Sequence, residues 1–319
     1  MAIPRVDVIV TALLVTCACS SSSGPQPYEV VSAPRDWTAH PAIVDLPVAA
    51  TLYAISDVHG GYDRLVSLLA AAKITTGVPA TPAAITWSAG DATLIVAGDL
   101  FDKGPNGVEV IDALVALQAS ASLDGGRVVV TLGNHEAEFL ADPTNSKADA
   151  SDGLDTELRS AAIDPMTIAS GRDPRGVWLR DLPFGVRIGR WFFAHAANTA
   201  HRDLATLEAA LETDVTRNDY RGAEVIGADS ILESRDWFSD SSTVAATTAA
   251  LAVDHIVFGH SPHALGADGE IAVANGAALF RIDCGMSPDI DYSEGEVLRV
   301  QGTEVDAMSA SGAIRHLWP

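Results

Sequence analysis

The sequence predicts an α/β protein with a mostly parallel sheet and its polar residues collected at one sheet edge. Two observations carry this expectation. Three strand–loop–helix units follow one another after residue 51, and parallel strands joined by right-handed crossovers are the usual product of that alternation. Each apolar run also ends abruptly in a loop carrying Asp, Asn or His, and ligands of such sheets gather at the carboxyl ends of the strands. Of the 319 residues, 48% are hydrophobic and 19% charged, a balance that fits a globular body and argues against long disorder.

The formal net charge is -22, from 42 acidic and 20 basic residues. Such a surface repels nucleic acid, so no nucleic-acid partner is expected. Of the cysteines, Cys17 and Cys19 stand in the leader and only Cys284 in the body. The body therefore has neither a disulfide framework nor a Cys-based zinc site, and any metal site must use His, Asp, Glu and Asn.

Residues 1–19 read as an export signal, with Arg5, an apolar run over 8–15 and then small residues. The run is too short to span a bilayer comfortably. Its end, Leu14-Val15-Thr16-Cys17-Ala18-Cys19, resembles the lipobox of bacterial lipoproteins. Cys19 after Ala18 fits the lipidated position better than Cys17, and an ordinary secretory signal is the alternative. Either leader implies an exported, periplasmic or cell-envelope protein, and the lipobox reading adds an N-terminal lipid anchor as its membrane contact. Residues 20–45 read as a tether and wrapping segment, and the domain as 46–319.

Along the body, residues 51–55 form a short strand leading into Ser56-Asp57-Val58-His59-Gly60-Gly61. Residues 62–73 repeat at helical spacing, with Leu65, Leu68, Leu69 and Ala72 on one face. Residues 75–91 form a loop. Leu94-Ile95-Val96-Ala97 then runs into Gly98-Asp99-Leu100-Phe101-Asp102-Lys103-Gly104-Pro105. Carboxylates are costly to bury unless something positive meets them, and for Asp99 a metal ion is the first candidate. A helix over 107–121 turns Val110, Leu114 and Leu117 inward. The strand over 128–132 ends in Gly133-Asn134-His135-Glu136. Residues 141–180 read as an irregular insertion over the site. The strand 191–195 ends in His195, residues 200–250 are mainly helical with a break near 220–236, and His255-Ile256-Val257-Phe258 leads into Gly259-His260-Ser261-Pro262-His263. The short β-type runs at 279–283 and 297–300 predict a second sheet.

Collected at the strand ends are carboxylates, imidazoles and an amide, the ligands a dinuclear site needs, one carboxylate bridging two ions. The natural division gives Asp57, His59 and Asp99 to one ion and Asp99, Asn134, His195 and His260 to the other. These ligands suit manganese, iron or zinc, and manganese is favoured. A lone strand-end histidine is more often structural than a ligand; five matching pieces in order are not.

These segments resemble the calcineurin-type metallophosphoesterases, specifically their phosphoprotein-phosphatase branch, whose pattern is Gly-Asp-x-His-Gly, Gly-Asp-x-x-Asp-Arg-Gly, Gly-Asn-His-Glu, a later His and Gly-His. The matches run from Asp57 to His260. Gly259-His260-Ser261-Pro262 with Ile282-Asp283-Cys284-Gly285-Met286-Ser287 further resembles the Shewanella-like protein phosphatases. The resemblance implies a four-layer α/β/β/α sandwich of two facing mixed sheets, a dinuclear metal site at the strand ends, and insertions around 141–180 and 200–250. Ser56 replaces a non-ligand Gly. Lys103 replaces the usual phosphate-gripping Arg, keeping the charge and losing the bidentate fork. Ala196-Ala197 stand where Gly-Gly is common.

The resemblance further implies a metal-dependent phosphomonoester hydrolase, attacking phosphorus in line through a metal-bridging hydroxide. His135 is expected to protonate the leaving oxygen and Asp102 to hold that imidazole. Lys103, Asn134 and Arg235 are expected to face the phosphoryl group, with Arg172, Arg175 and Arg221 weaker candidates. Glu136 is expected to fix its turn. His263 is left between pocket wall and solvated loop. His201 and His255 read as structural, His40 and His316 fall outside every motif, Trp178, Trp191 and Trp237 read as core or rim, and Cys284 as a buried hydrophobe. The expected partner is a phosphorylated protein (phosphotyrosine or phosphoserine/threonine) or a small phosphoester. The alternatives are hydrolysis of a small metabolite or dinucleoside polyphosphate, and a metal-stabilised binding lipoprotein without activity.

Overall fold

A computed structural model describes residues 34–319; the leader with Cys17 and Cys19 lies outside the described residues. The first strands are β1 (Ile43–Leu46), β2 (Thr51–Ile55), β3 (Thr93–Ala97) and β4 (Arg127–Thr131), with helices α1 (Tyr62–Ala71), α2 (Gly107–Leu123) and α3 (Asn134–Ala141) following β2, β3 and β4. The middle carries α4 (Leu154–Ser160), α5 (Pro165–Ala169), α6 (Pro174–Asp181), β5 (Gly185–Ile188), β6 (Trp191–Ala194), α7 (Leu204–Asn218), α8 (Ala223–Ile226) and α9 (Ser241–Leu251). The chain closes with β7 (His255–Phe258), β8 (Ala272–Ala274), β9 (Leu279–Arg281), β10 (Glu296–Gln301), β11 (Glu304–Ser309) and β12 (Ile314–Trp318).

These strands build two six-stranded sheets, ordered β12-β11-β10-β2-β3-β4 and β1-β5-β6-β7-β9-β8. Both are mixed. β2, β3 and β4 are parallel and β10 to β12 antiparallel, while β6, β7 and β9 are parallel and β5 and β8 antiparallel to their neighbours β6 and β9. Side chains alternate between two faces of a strand, and here both faces are dry. Ile95, Ala97, Val129, Phe193, Val257 and Phe280 form one buried cluster between the sheets. Their neighbours Leu94, Val96, Val130, Phe192, Ile256 and Phe258 join a second cluster with Leu65, Leu114, Leu207 and Leu251 of the outer helices. Helix, sheet, sheet and helix stack as four layers. Continuous apolar runs such as Leu94–Ala97 are what a strand covered on both faces requires.

The observed elements correct several expectations. Residues 43–46, which cross the end of the stretch read as wrapping, form β1, a strand the sequence reading missed and one that pairs in parallel with β5. The C-terminal runs do not make a sheet of their own: β9 joins β7, and β10 joins β2. The apolar alternation sets a strand's faces but not its neighbour. The insertion 141–180 is not irregular but carries three helices. Two of them start at Asp-Pro, with Asp164 accepting from Met166 N at 3.0 Å and Asp173 from Arg175 N at 2.8 Å, an N-cap signature legible in the sequence.

That insertion also braces the core. Glu157 of α4 accepts from Gly107 N at 2.8 Å and Val108 N at 3.0 Å, capping the start of α2. Burial, against the opposing pull of those two bonds, pushes its carboxyl from 4.5 to about 7. A carboxyl raised in the folded state contributes stability that is complete below its unfolded value and lost as pH rises through the folded one. Glu157→Gln, which keeps an acceptor but cannot ionise, should therefore gain stability over the parent as pH rises from 4.5 to 7, read as the difference in urea midpoints. A pH-independent difference would contradict this.

Candidate metal centre

The site forms where strands of both sheets end: β2 leads to Asp57 and His59, β3 to Asp99 and Asp102, and α3 opens with Asn134 and His135; across the interface β6 leads to His195 and β7 to His260. Two of the loops are locked together by backbone bonds from Asp57 N to Gly98 O, His59 N to Asp99 O and Gly60 N to Leu100 O, at 3.0, 2.9 and 2.8 Å. Asp57, His59, Asp99 and His260 all have left-handed backbones, φ 54, 47, 55 and 64°, a conformation costing on the order of 1–2 kcal/mol per residue. Such strain persists only where surroundings over-determine it. Glu136 supplies part of that constraint, accepting from Asp99 N, Leu100 N and Gly133 N at 2.9, 2.8 and 2.7 Å. Gly133 and Gly259 permit the close approach: a methyl group there would fall against the carboxylates of Asp99 and Asp57 respectively.

The carboxylate of Asp99 points two ways. Its Oδ2 lies 3.4 Å from His59 Nε2, and its Oδ1 lies 3.3 Å from His195 Nε2. Asp57 Oδ1 stands 3.9 Å from His59 Nε2. His195 Nε2 is in turn 3.1 Å from His260 Nδ1 and 3.1 Å from Asn134 Oδ1. The sequence-predicted ligands thus divide into two groups sharing Asp99. Each imidazole donates from its other nitrogen to a backbone carbonyl: His59 Nδ1 to Phe101, His195 Nδ1 to Ala97 and His260 Nε2 to Glu233, at 3.1, 2.9 and 3.1 Å. Such bonds set the tautomer that offers a lone pair inward.

The electrostatics ask for positive charge. Burial raises Asp57 well above the ordinary carboxylate range, and the nearby carboxylate of Asp283 adds to it. Burial would lower His195, but Asp99 and Asp57 carry it to about 9. Burial and the neighbouring His195 drive His260 down to about 2. The Asn134 amide atom facing the cluster lies 3.2 Å from each Asp99 carboxylate oxygen and 3.2 Å from His260 Nδ1. As an oxygen it meets only acceptors when the imidazoles are neutral, a repulsion that a cation removes. The reversed amide, donating to those atoms, suits the cluster only without a cation. This donor set fits two hard or borderline divalent ions.

His135 is held differently from the other predicted site residues, although its ligand atom also lies within 4.8 Å of those of His59 and Asp99. Its Nδ1 bonds to Asp102 Oδ2 at 2.7 Å and its Nε2 stands 3.9 Å from Asp99 Oδ2. The other Asp102 oxygen accepts from Leu154 N at 2.8 Å, so the insertion's first helix fixes the carboxylate that fixes His135. A pocket of about 450 Å³ opens above, lined by these residues and by Lys103, Lys147, Arg235, Asp283 and His263. Lys103 Nζ donates to His59 Nε2 at 3.0 Å, and Arg235 Nη1 to the His260 carbonyl at 2.8 Å.

The weaker arginine candidates lie elsewhere: Arg172 donates to Ser170 Oγ, Arg175 pairs with Asp112, and Arg221 lies 3.7 Å from Asp219. His263, at the pocket wall, bonds Asp268 at 2.9 Å. His255 stacks on Trp191 with centroids 4.0 Å apart, and His201 meets Thr247. His40 and His316 pair with Asp181 and Asp306. Trp178 donates to Gln118 Oε1 and Trp237 to the Ala196 carbonyl. Cys284 is buried, which raises its thiol. The sequence reading did not single out Lys147 or Glu233. Glu233 stands two residues before Arg235, and that spacing was the one available signal.

A profile of the calcineurin-like phosphoesterases matches residues 50–266. The chain belongs to this family. It is 40% identical over 85 residues to an uncharacterised protein of Schizosaccharomyces pombe, covering 27% of this chain and 24% of that one. It is 30% identical over 160 residues to the symmetrical bis(5'-nucleosyl)-tetraphosphatase of Cronobacter sakazakii, covering 49% of this chain and 46% of that protein. The chain thus spans half or less of these relatives' length. The crystal structure of the cold-active protein-tyrosine phosphatase of a psychrophilic Shewanella superposes with a TM-score of 0.70 at 20% identity, over 86% of this chain and 82% of that one; this likeness shows the shared fold.

Asp99→Asn should bind markedly less manganese per chain and lose turnover in parallel, measured by elemental analysis and phosphate release. A variant retaining both would contradict the sharing of Asp99 by two ions.

Proposed function

We propose that this chain hydrolyses phosphomonoesters with two divalent ions, phosphorylated protein being its substrate class. The observation that carries the reading is the Asp99 carboxylate facing two imidazole groups, with the His135–Asp102 pair beside it. When bound, the ions supply an acidified water and neutralise phosphoryl charge. His59, Asp57 and Asp99 would hold one, and Asp99, Asn134, His195 and His260 the other, with manganese favoured over iron or zinc. Asp102 orients His135, whose Nε2 is placed to give a proton to the leaving oxygen. Lys103, Asn134 and Arg235 face the phosphoryl oxygens, the lysine as a point charge without the arginine fork. Export and lipid anchoring through residues 1–19 complete the proposal.

The activity for which the tetraphosphatase relative is named supports a second reading, cleavage of dinucleoside polyphosphates. Charge favours the first. The pocket's cations Lys103, Lys147 and Arg235 share its wall with Asp152, Asp283 and Asp289, so a chain of phosphates meets more repulsion there than one phosphoryl group.

With manganese, the protein should turn over a chromogenic aryl phosphate and phosphopeptides, and a bis(5'-nucleosyl) tetraphosphate more slowly; faster tetraphosphate cleavage would favour the second reading. His135→Ala should keep the parent's manganese content while turnover falls on the order of 10²–10⁴-fold, the range of positioned proton transfer. Full activity in that variant would remove the acid role.

A further inference from the structure

Asn134 and His260 reach the second ion's position from different sheets, yet one residue outside every motif touches both. The Glu233 carbonyl accepts from His260 Nε2 at 3.1 Å, and Glu233 Oε2 accepts from Asn134 Nδ2 at 3.3 Å. The turn holding Glu233 is well fastened. Ser230 Oγ donates to the Val225 carbonyl at 2.9 Å and accepts from Glu233 N at 3.2 Å. The Ile231 carbonyl accepts from Ala196 N and Ala197 N, both at 3.0 Å, directly after His195. Arg235 closes the turn over the His260 carbonyl at 2.8 Å.

An amide is nearly symmetrical in shape, so its neighbours decide which atom faces the ion. Lys147 Nζ, bonded to Glu138 Oε1 at 2.7 Å, also lies 2.8 Å from the outward atom of the Asn134 amide. A cation there draws the amide oxygen outward, away from the metal. The Glu233 carboxylate draws the nitrogen outward and leaves the oxygen facing in.

We propose that Glu233 is a positioning residue of the second metal subsite, setting the Asn134 amide against the pull of Lys147 and the His260 tautomer through its carbonyl. This rests on the two-ion reading above. Loss of an outer partner of a ligand typically weakens metal affinity about 10–100-fold.

The test is calorimetric titration of manganese into the metal-free full chain. The parent should bind two ions. Glu233→Ala should retain one site and weaken the other about 10–100-fold, with the melting temperature of the metal-free protein unchanged. Glu233→Gln, whose amide oxygen still accepts from Asn134, should restore it. Lys147 is 37% exposed, and Lys147→Ala reads the same balance without disturbing the turn: it should tighten the second site several-fold. Parent-like affinity at both sites in Glu233→Ala, or no change in Lys147→Ala, overturns the proposal. A parent that binds fewer than two ions removes the two-ion reading itself.

Discussion

A carboxylate shut away from water organises this molecule. Asp99 is 2% exposed and has Asp57 near it, with Asp283 beyond, all at the floor of one pocket. Burying one such charge without compensation costs far more than a domain's net stability, which is on the order of 5–15 kcal/mol. The inward nitrogens of His59, His195 and His260 offer lone pairs to cations that would offset that cost. The polar half of the site is therefore an electrostatic problem posed by the fold and answered by ions.

The sandwich sets the geometry of that answer. Asp57, Asp99 and Asn134 come from one sheet and its crossover helix, His195 and His260 from the other, so the spacing between ligands is the spacing between packed sheets. Phe193, Val257, Ile95 and Ala97 fill that interface immediately beneath the ligands, and close-packed interiors transmit small changes rather than absorb them. The left-handed backbones at Asp57, His59, Asp99 and His260 turn each side chain sharply off its strand. Glu136, Gly133 and Gly259 keep those turns in place.

Much of this was legible in the sequence because the site is built from short-range patterns. An apolar run ending in Gly-Asp or Gly-His states both a doubly covered strand and what stands at its tip, and so the positions of the strand-end polar residues and the helical faces of α1 and α2 could be read directly. Partnership between distant segments could not. The pairing of β10 with β2, of β1 with β5, the Leu154 amide on Asp102 and the two bonds of Glu233 all join residues far apart in the chain, and local periodicity carries no record of them. The helices of the 141–180 insertion belong to a third case: their Asp-Pro caps were present and were outweighed by the polar composition around them.

The substrate reading rests on charge. The pocket pairs a few cations with carboxylates in a protein of net charge -22, and such a pattern adds repulsion as the number of phosphates grows. The central claim concerns the ions. Crystals grown with manganese and measured at its absorption edge should show two anomalous peaks about 3.5–4 Å apart on either side of the Asp99 carboxylate. A single peak, or two that do not share Asp99, would contradict the account.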